Sequence, residues 1–320
     1  VDLLPTDGLV VDLLRMQSRD GSWGAAELGA RGTINRVRAT SLALARLGYL
    51  GFASDHAAVR AGADYLFARQ RKDGAWSLPR IQCKRVLDSG KNSDDDADEG
   101  GGYTMVPLQT ALPLHGLVMN GLATDPRCER AYDWLLAQRL EDGAWPTGTA
   151  AGNHGFVAGY RRLAHSRWGC RSNTTGALAC LAMHPERRHA PATKRALDLL
   201  LGRETRDQHG LGLQVSRLLG AQPARGFFTY YARFDIAQIL DLCWRIGATV
   251  DDERVGGLVE FVRSLQGDLG QWRCSVQPQA SSWLSFDLLR SMSRLDESGD
   301  WLSSEPRTPF QTYPRPRRRY

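Results

Sequence analysis

Leu14-x-x-Gln17-x-x-Asp20-Gly21-Ser22-Trp23-Gly24 decides the reading of the fold, because the phrase comes back along the chain. It returns as Gln70-x-x-Asp73-Gly74-Ala75-Trp76, as Leu135-x-x-Gln138-x-x-x-Asp142-Gly143-Ala144-Trp145, and more weakly as Leu265-Gln266-x-x-x-Gly270-Gln271-Trp272. Self-similarity at a spacing of tens of residues is the mark of a repeat architecture. The tryptophans are 53, 69 and 127 residues apart, and the last interval leaves room for a degraded copy. Ala196–Glu204 followed by Asp207 is the candidate.

Working outward, each phrase ends a segment with apolar residues at helical spacing, such as 59–70 and 131–138. Gly supplies the left-handed backbone that stops a helix, and Asp can bind neighbouring amides. After each phrase comes a second helical segment rich in small residues: 40–47, 109–117, 174–181, 234–244 and 283–295. About five helix pairs result, each too small to bury its own apolar face and so stacked on its neighbours. The small-residue helices suit an inner ring and the amphipathic ones an outer ring. The expected fold is all-α, an α/α toroid in one domain over residues 1–300, followed by a Pro/Arg-rich basic tail over 301–320 that cannot form a core.

Composition agrees with a globular chain, since 42% hydrophobic and 24% charged residues in 320 exclude wholesale disorder. No run approaches the ~18 apolar residues of a membrane span, and residues 1–5 do not read as a secretion signal, so a cytoplasmic location is expected. The six scattered cysteines form no CxxC pair, which fits reduced thiols. A net charge of +6 exerts only a modest pull on anions.

The repeated phrase resembles the QW repeat of squalene-hopene cyclases and related class II terpene cyclases, and the similar repeat of protein prenyltransferase β subunits. The layout is most similar to bacterial single-domain prenyltransferase/squalene-oxidase repeat proteins. The resemblance implies that Gln17, Trp23, Gln70, Trp76, Gln138, Trp145, Gln266 and Trp272 are structural, tying outer helices together. It also implies an isoprenoid, a diphosphate or a polyprene, as the small-molecule partner, held in a central aromatic-lined cavity.

The chemistry is less legible than the fold. No DxDD acid motif is present; the nearest group is Asp94, Asp95 and Asp98, spaced as DDxxD beside three glycines. These three are the candidate catalytic acids and a possible Mg²⁺ site, weighed against a solvated acidic loop. Phe227, Phe228, Tyr230 and Tyr231, with Trp168 and Trp244, are candidates to line a prenyl pocket, where aromatic quadrupoles stabilise cations; core packing explains them as well. Asp241-Leu242-Cys243 matches half of a prenyltransferase zinc set, but the last His is His209, so no zinc is expected. His154, His165, His184 and His189 with Cys170 fit no zinc module. The basic tail can meet phosphates or an acidic protein surface, though it has too few aromatics for nucleic-acid stacking. A non-catalytic toroid that binds a protein partner is therefore the alternative to an isoprenoid enzyme.

Overall fold

The computed structural model describes residues 8–24, 36–76, 106–147, 149–150, 153–154, 162–202, 210–220, 235–274 and 277–295. Helices α1 (Gly8–Arg15), α3 (Ala57–Phe67), α5 (Pro126–Ala137), α7 (Pro191–Leu201) and α10 (Glu253–Ser264) form the outer layer. Helices α2 (Arg36–Tyr49), α4 (Pro107–Val118), α6 (Arg171–Leu181), α9 (Ile236–Ile246) and α11 (Ser281–Leu295) form the inner one, with the short α8 (Leu213–Leu218) between α7 and α9. A ladder of Thr149–Ala150 with Asn153–His154 is the only sheet among the described residues.

The inner helices pack side by side, α2 on α4, α4 on α6 and α9 on α11, and α9 also leans on α7. Every residue of α4 is buried and nearly every one of α6, so small side chains there permit close approach. The ring closes where the Tyr49 hydroxyl at the end of α2 donates to Asp287 of α11 at 2.8 Å, with the Tyr49 and Trp283 rings 5.7 Å apart. The architecture is an α/α toroid, as the repeats predict.

The tryptophan of the phrase is held in the same way in each copy. The indole N–H of Trp23, Trp76, Trp145 and Trp272 donates to the carbonyl ten residues upstream on the outer helix: Leu13, Leu66, Leu135 and Val262, at 2.7, 2.9, 2.6 and 2.6 Å. The backbone N–H of the same tryptophans donates to Thr40, Thr110, Thr174 and Ser285 on the following inner helix, at 3.0, 3.3, 3.0 and 2.9 Å. All four indoles are essentially inaccessible to solvent, so each is a large apolar plug with its one polar atom satisfied.

The Gln and Gly of the phrase reach forward. Gln17 Nε2 donates to Gly21 O at 3.0 Å and to Ala58 O of α3 at 2.9 Å; Gln70 Nε2 donates to Gly74 O and to Arg127 O of α5, both at 2.9 Å. Ala58 and Arg127 are each the second residue of the next outer helix. Gly21 and Gly74 have φ of 82° and 94°, and a Cβ on either would collide with the carbonyl of that helix's fifth residue, Ala61 or Arg130.

The third copy corrects the sequence reading. Ser18, Arg71 and Leu140 make the same backbone bond to Ser22, Ala75 and Ala144, which puts Arg139 and not Gln138 in the place of Gln17 and Gln70. The lock is made from the other side, by Arg195, the fifth residue of α7, whose Nε donates to Asp142 O at 3.2 Å. Further round, Arg254 of α10 holds Asp198 of α7 at 2.9 Å. Cys128, Cys170, Cys180, Cys243 and Cys274 are free thiols, all buried.

Candidate functional site: a polar cavity on the toroid axis

The hydroxyls that bind the tryptophan N–H groups point each inner helix's outer side toward Thr40, Thr110, Thr174 or Ser285, so residues about half a turn round face the axis. At the ends of α2, α4 and α6 these are Tyr49, His115, Met119, Ala179 and Met183; in the middle of α11, Asp287 and Arg290. These side chains, with residues 235–245 before and along α9 and with α8, line a cavity of about 190 Å³. The ring is therefore stepped: the ends of α2, α4 and α6 meet the middle of α11 at one level.

The walls are charged. Asp287 accepts from Tyr49 and, at 2.9 Å, from Arg290 Nη2. Asp241 accepts from Trp244 Nε1 at 3.1 Å and from Arg245 Nε at 2.8 Å, with Arg290 Nη2 3.5 Å away. Burial pushes the Asp287 carboxyl up to about 6, against the opposing pull of Arg290 and the Tyr49 hydroxyl. Burial and the adjacent Asp287 drive the Tyr49 phenol far above its usual range, so it stays a donor. Burial holds the His115 imidazole down to about 4, helped by Arg245, leaving it neutral at pH 7. Asp235 is also raised by burial, but it accepts from the amides of Gly212, Gln214 and Ala237 at 3.0, 2.6 and 3.1 Å, and so works as a splint between α8 and α9.

Among the described residues, two polar atoms of lining side chains, Gln214 Oε1 and Arg290 Nε, are buried without a hydrogen-bond partner.

Asp94, Asp95, Asp98, Phe227, Phe228, Tyr230 and Tyr231, and the tail from 301, lie outside the described residues. Trp168 stacks under Arg167 at 5.0 Å, away from the cavity. Trp244 is adjacent: Arg245 and Arg294 each lie 4.4 Å from its ring centroid, and its N–H donates to Asp241, so it touches two lining residues, Asp241 and Arg245, without lining the cavity itself. Among the described lining residues the rings are Tyr49 and His115. Asp241 faces Arg245 and Trp244, Cys243 is buried, and no group of three metal-ligating side chains converges among the described residues. His184 is buried against Glu129 at 2.7 Å, a brace between α6 and α5. Sequence reasoning passed over Tyr49, His115, Asp287 and Arg290. The available signal was charge at helical spacing, Asp287/Arg290 and Asp241/Arg245, on helices otherwise suited to an interior ring.

Residues 8–165 match the squalene-hopene cyclase C-terminal domain family. The squalene–hopene cyclases of Zymomonas mobilis and Bradyrhizobium diazoefficiens are 29% and 26% identical over 136 residues, 42% of this chain and 18% of each cyclase. Among solved structures, the type II terpene cyclase MstE from Scytonema superposes with a TM-score of 0.50 in two forms. An MstE variant in complex with geranylgeranyl dihydroxybenzoate shares 18% identity and covers 88% of this chain and 69% of its own; apo MstE shares 15% and covers 92% and 73%. The chain is a terpenoid-cyclase-like α/α toroid. Its likeness to squalene–hopene cyclases lies in the first half, while most of the cavity wall comes from residues beyond 165.

Proposed function

We propose that this chain handles an isoprenoid as a terpene-cyclase-like enzyme, that its axial cavity takes the oxygenated end of the molecule, and that Asp287 is the proton donor there. The observation that carries the reading is the Asp287 carboxyl on the cavity wall, bonded by Tyr49 and Arg290 and raised by burial to about 6. An acid of that strength holds its proton part of the time near neutrality and suits transfer to oxygen, as in general acid catalysis. Protonating a bare alkene asks for a much stronger acid. At about 190 Å³ the cavity is smaller than the roughly 300–1,000 Å³ of drug-sized ligand sites, which fits a polar head group and leaves the prenyl chain elsewhere. MstE in complex with geranylgeranyl dihydroxybenzoate, a prenyl chain on a polar ring, supports the same division.

The test is incubation of purified protein, with and without Mg²⁺, with geranyl, farnesyl and geranylgeranyl diphosphates, squalene, oxidosqualene and geranylgeranyl dihydroxybenzoate, followed by mass spectrometry of the organic extract. A product lost at least about 100-fold in Asp287→Asn, within the range general acid groups contribute, supports the proposal. A product retained in Asp287→Asn but lost in Asp95→Asn/Asp98→Asn moves the chemistry to the acidic loop and to Mg²⁺. Unchanged substrates throughout favour a non-catalytic toroid, a reading to which the small, charged cavity also lends itself.

A further inference from the structure

Both guanidinium groups of the cavity wall are already engaged by carboxylates. Among the described lining residues the acidic and strongly basic side chains are Asp235, Asp241, Asp287, Arg245 and Arg290, three carboxyls against two cations. Asp235 is taken up by the amides of Gly212, Gln214 and Ala237. The other four form a chain. Arg245 Nε donates to Asp241 Oδ2 at 2.8 Å, Arg290 Nη2 lies 3.5 Å from Asp241 Oδ1, and the same Nη2 donates to Asp287 Oδ1 at 2.9 Å. Asp241 is the link that meets both arginines, and through Arg290 it joins α9 to α11.

That chain decides what an oxygenated head group encounters. A site that takes a diphosphate turns unengaged cations toward it, because charge-assisted bonds to phosphate oxygens supply the affinity. Here a diphosphate has to draw Arg245 and Arg290 away from their carboxylates and then lie beside those same carboxylates. The four side chains are only 16–30% exposed, so water screens the repulsion less than it does on an open surface. A hydroxyl brings no charge. Each guanidinium has five N–H donors and uses a single nitrogen toward these carboxylates, so a neutral oxygen can bond to the wall with every ion pair intact.

We infer that Asp241 sets the specificity of the cavity: by engaging Arg245 and Arg290 it closes the site to diphosphates and reserves it for a prenyl chain that ends in a hydroxyl. The inference rests on the reading of the cavity as the seat of an isoprenoid's oxygenated end. It narrows that reading to one kind of head group, and it gives Asp241 a task separate from that of the proton donor Asp287.

Isothermal titration calorimetry in a neutral detergent, without Mg²⁺, tests this with geranylgeraniol and geranylgeranyl diphosphate, which differ only in the head group. The wild type is expected to bind the alcohol at least about tenfold more tightly, the like-charge penalty of a mostly buried wall. Asp241→Asn keeps the shape of the side chain and an acceptor for Trp244, but no longer neutralises the arginines. Its binding of the diphosphate is expected to tighten at least about tenfold, and adding Arg245→Gln is expected to remove that gain. Asp241→Ala repeats the measurement, and circular dichroism verifies that each variant folds. A residue that only braces α9 against α11 would lower stability without changing which ligand is preferred. A wild type that prefers the diphosphate, or an Asp241→Asn variant that gains nothing for it, overturns the inference. If the wild type binds neither prenyl probe, the isoprenoid reading fails, and inorganic diphosphate then decides the inference by itself. Its capture by Asp241→Asn and not by the wild type upholds the role of Asp241, and any other result overturns it.

Discussion

At the scale of single residues, the phrase separates into roles that substitution can tell apart. Gln70→Ala removes two bonds, one to Gly74 O that closes the turn and one to Arg127 O that ties it to α5, at an expected cost of about 1–2 kcal/mol. Gln138→Ala, one position out of register, is expected to change stability by less than about 0.5 kcal/mol. Urea denaturation of both variants checks the assignment, and equal losses would refute the placing of Arg139 at that position. The cavity gives a pH signature. His115, lowered to about 4, leaves the folded state holding fewer protons than the unfolded between about 4 and 6.5, so its contribution is lost as pH falls through that window. Asp287, raised to about 6, works with the opposite sign: its protonated form favours folding at low pH, and that is lost as pH rises from about 4 to 6. The two largely offset each other. In Asp287→Asn, stability is therefore expected to fall on acidification from pH 6.5 to 4 by on the order of 3 kcal/mol more than in the wild type, read from chemical denaturation at each pH.

At the scale of elements, the glycines of the phrase differ in what lies against them among the described residues. Gly74→Ala must both strain a φ of 94° and push the Arg130 carbonyl of α5 aside, so a loss above about 2 kcal/mol is expected. Gly270→Ala pays only the strain at φ 75°, about 1 kcal/mol. Thermal unfolding of the pair measures the difference, and similar losses would show that something packs on Gly270. The elements were largely legible from sequence because their signals are local: Asp-Gly stops, one buried Trp per repeat, and alternating amphipathic and small-residue helices. Arg139 shows where that legibility ends. A one-residue insertion shifts the phrase, and a plausible Gln still stands one position away, so spacing alone misassigns the role. The cavity was legible only in hindsight, because Tyr49, His115 and Asp287 are 66 and 172 residues apart in sequence and meet only through ring closure.

At the scale of the whole molecule, the repeats make stability quasi-one-dimensional, with each pair held by its neighbours. Every residue of α4 and nearly every one of α6 is buried, whereas α1 and the 265–272 loop carry exposed residues such as Asp12 and Leu269. Native-state hydrogen exchange is therefore expected to show the slowest amides in α4 and α6 and markedly faster ones in α1 and the 265–272 loop. Uniform protection across these segments would mean that the ring opens only as a unit.

The buried thiols turn this gradient into something that can be watched. Burial pushes Cys128 up to about 12 and raises Cys180 and Cys243 as well, so in the closed molecule these sulfurs are almost never nucleophiles. Cys128, Cys170 and Cys180 belong to the pair α5 and α6, Cys243 to α9, and Cys274 to the stretch between α10 and α11. The order in which a thiol reagent modifies them therefore amounts to a built-in stopwatch, recording which half of the ring parts first and how often.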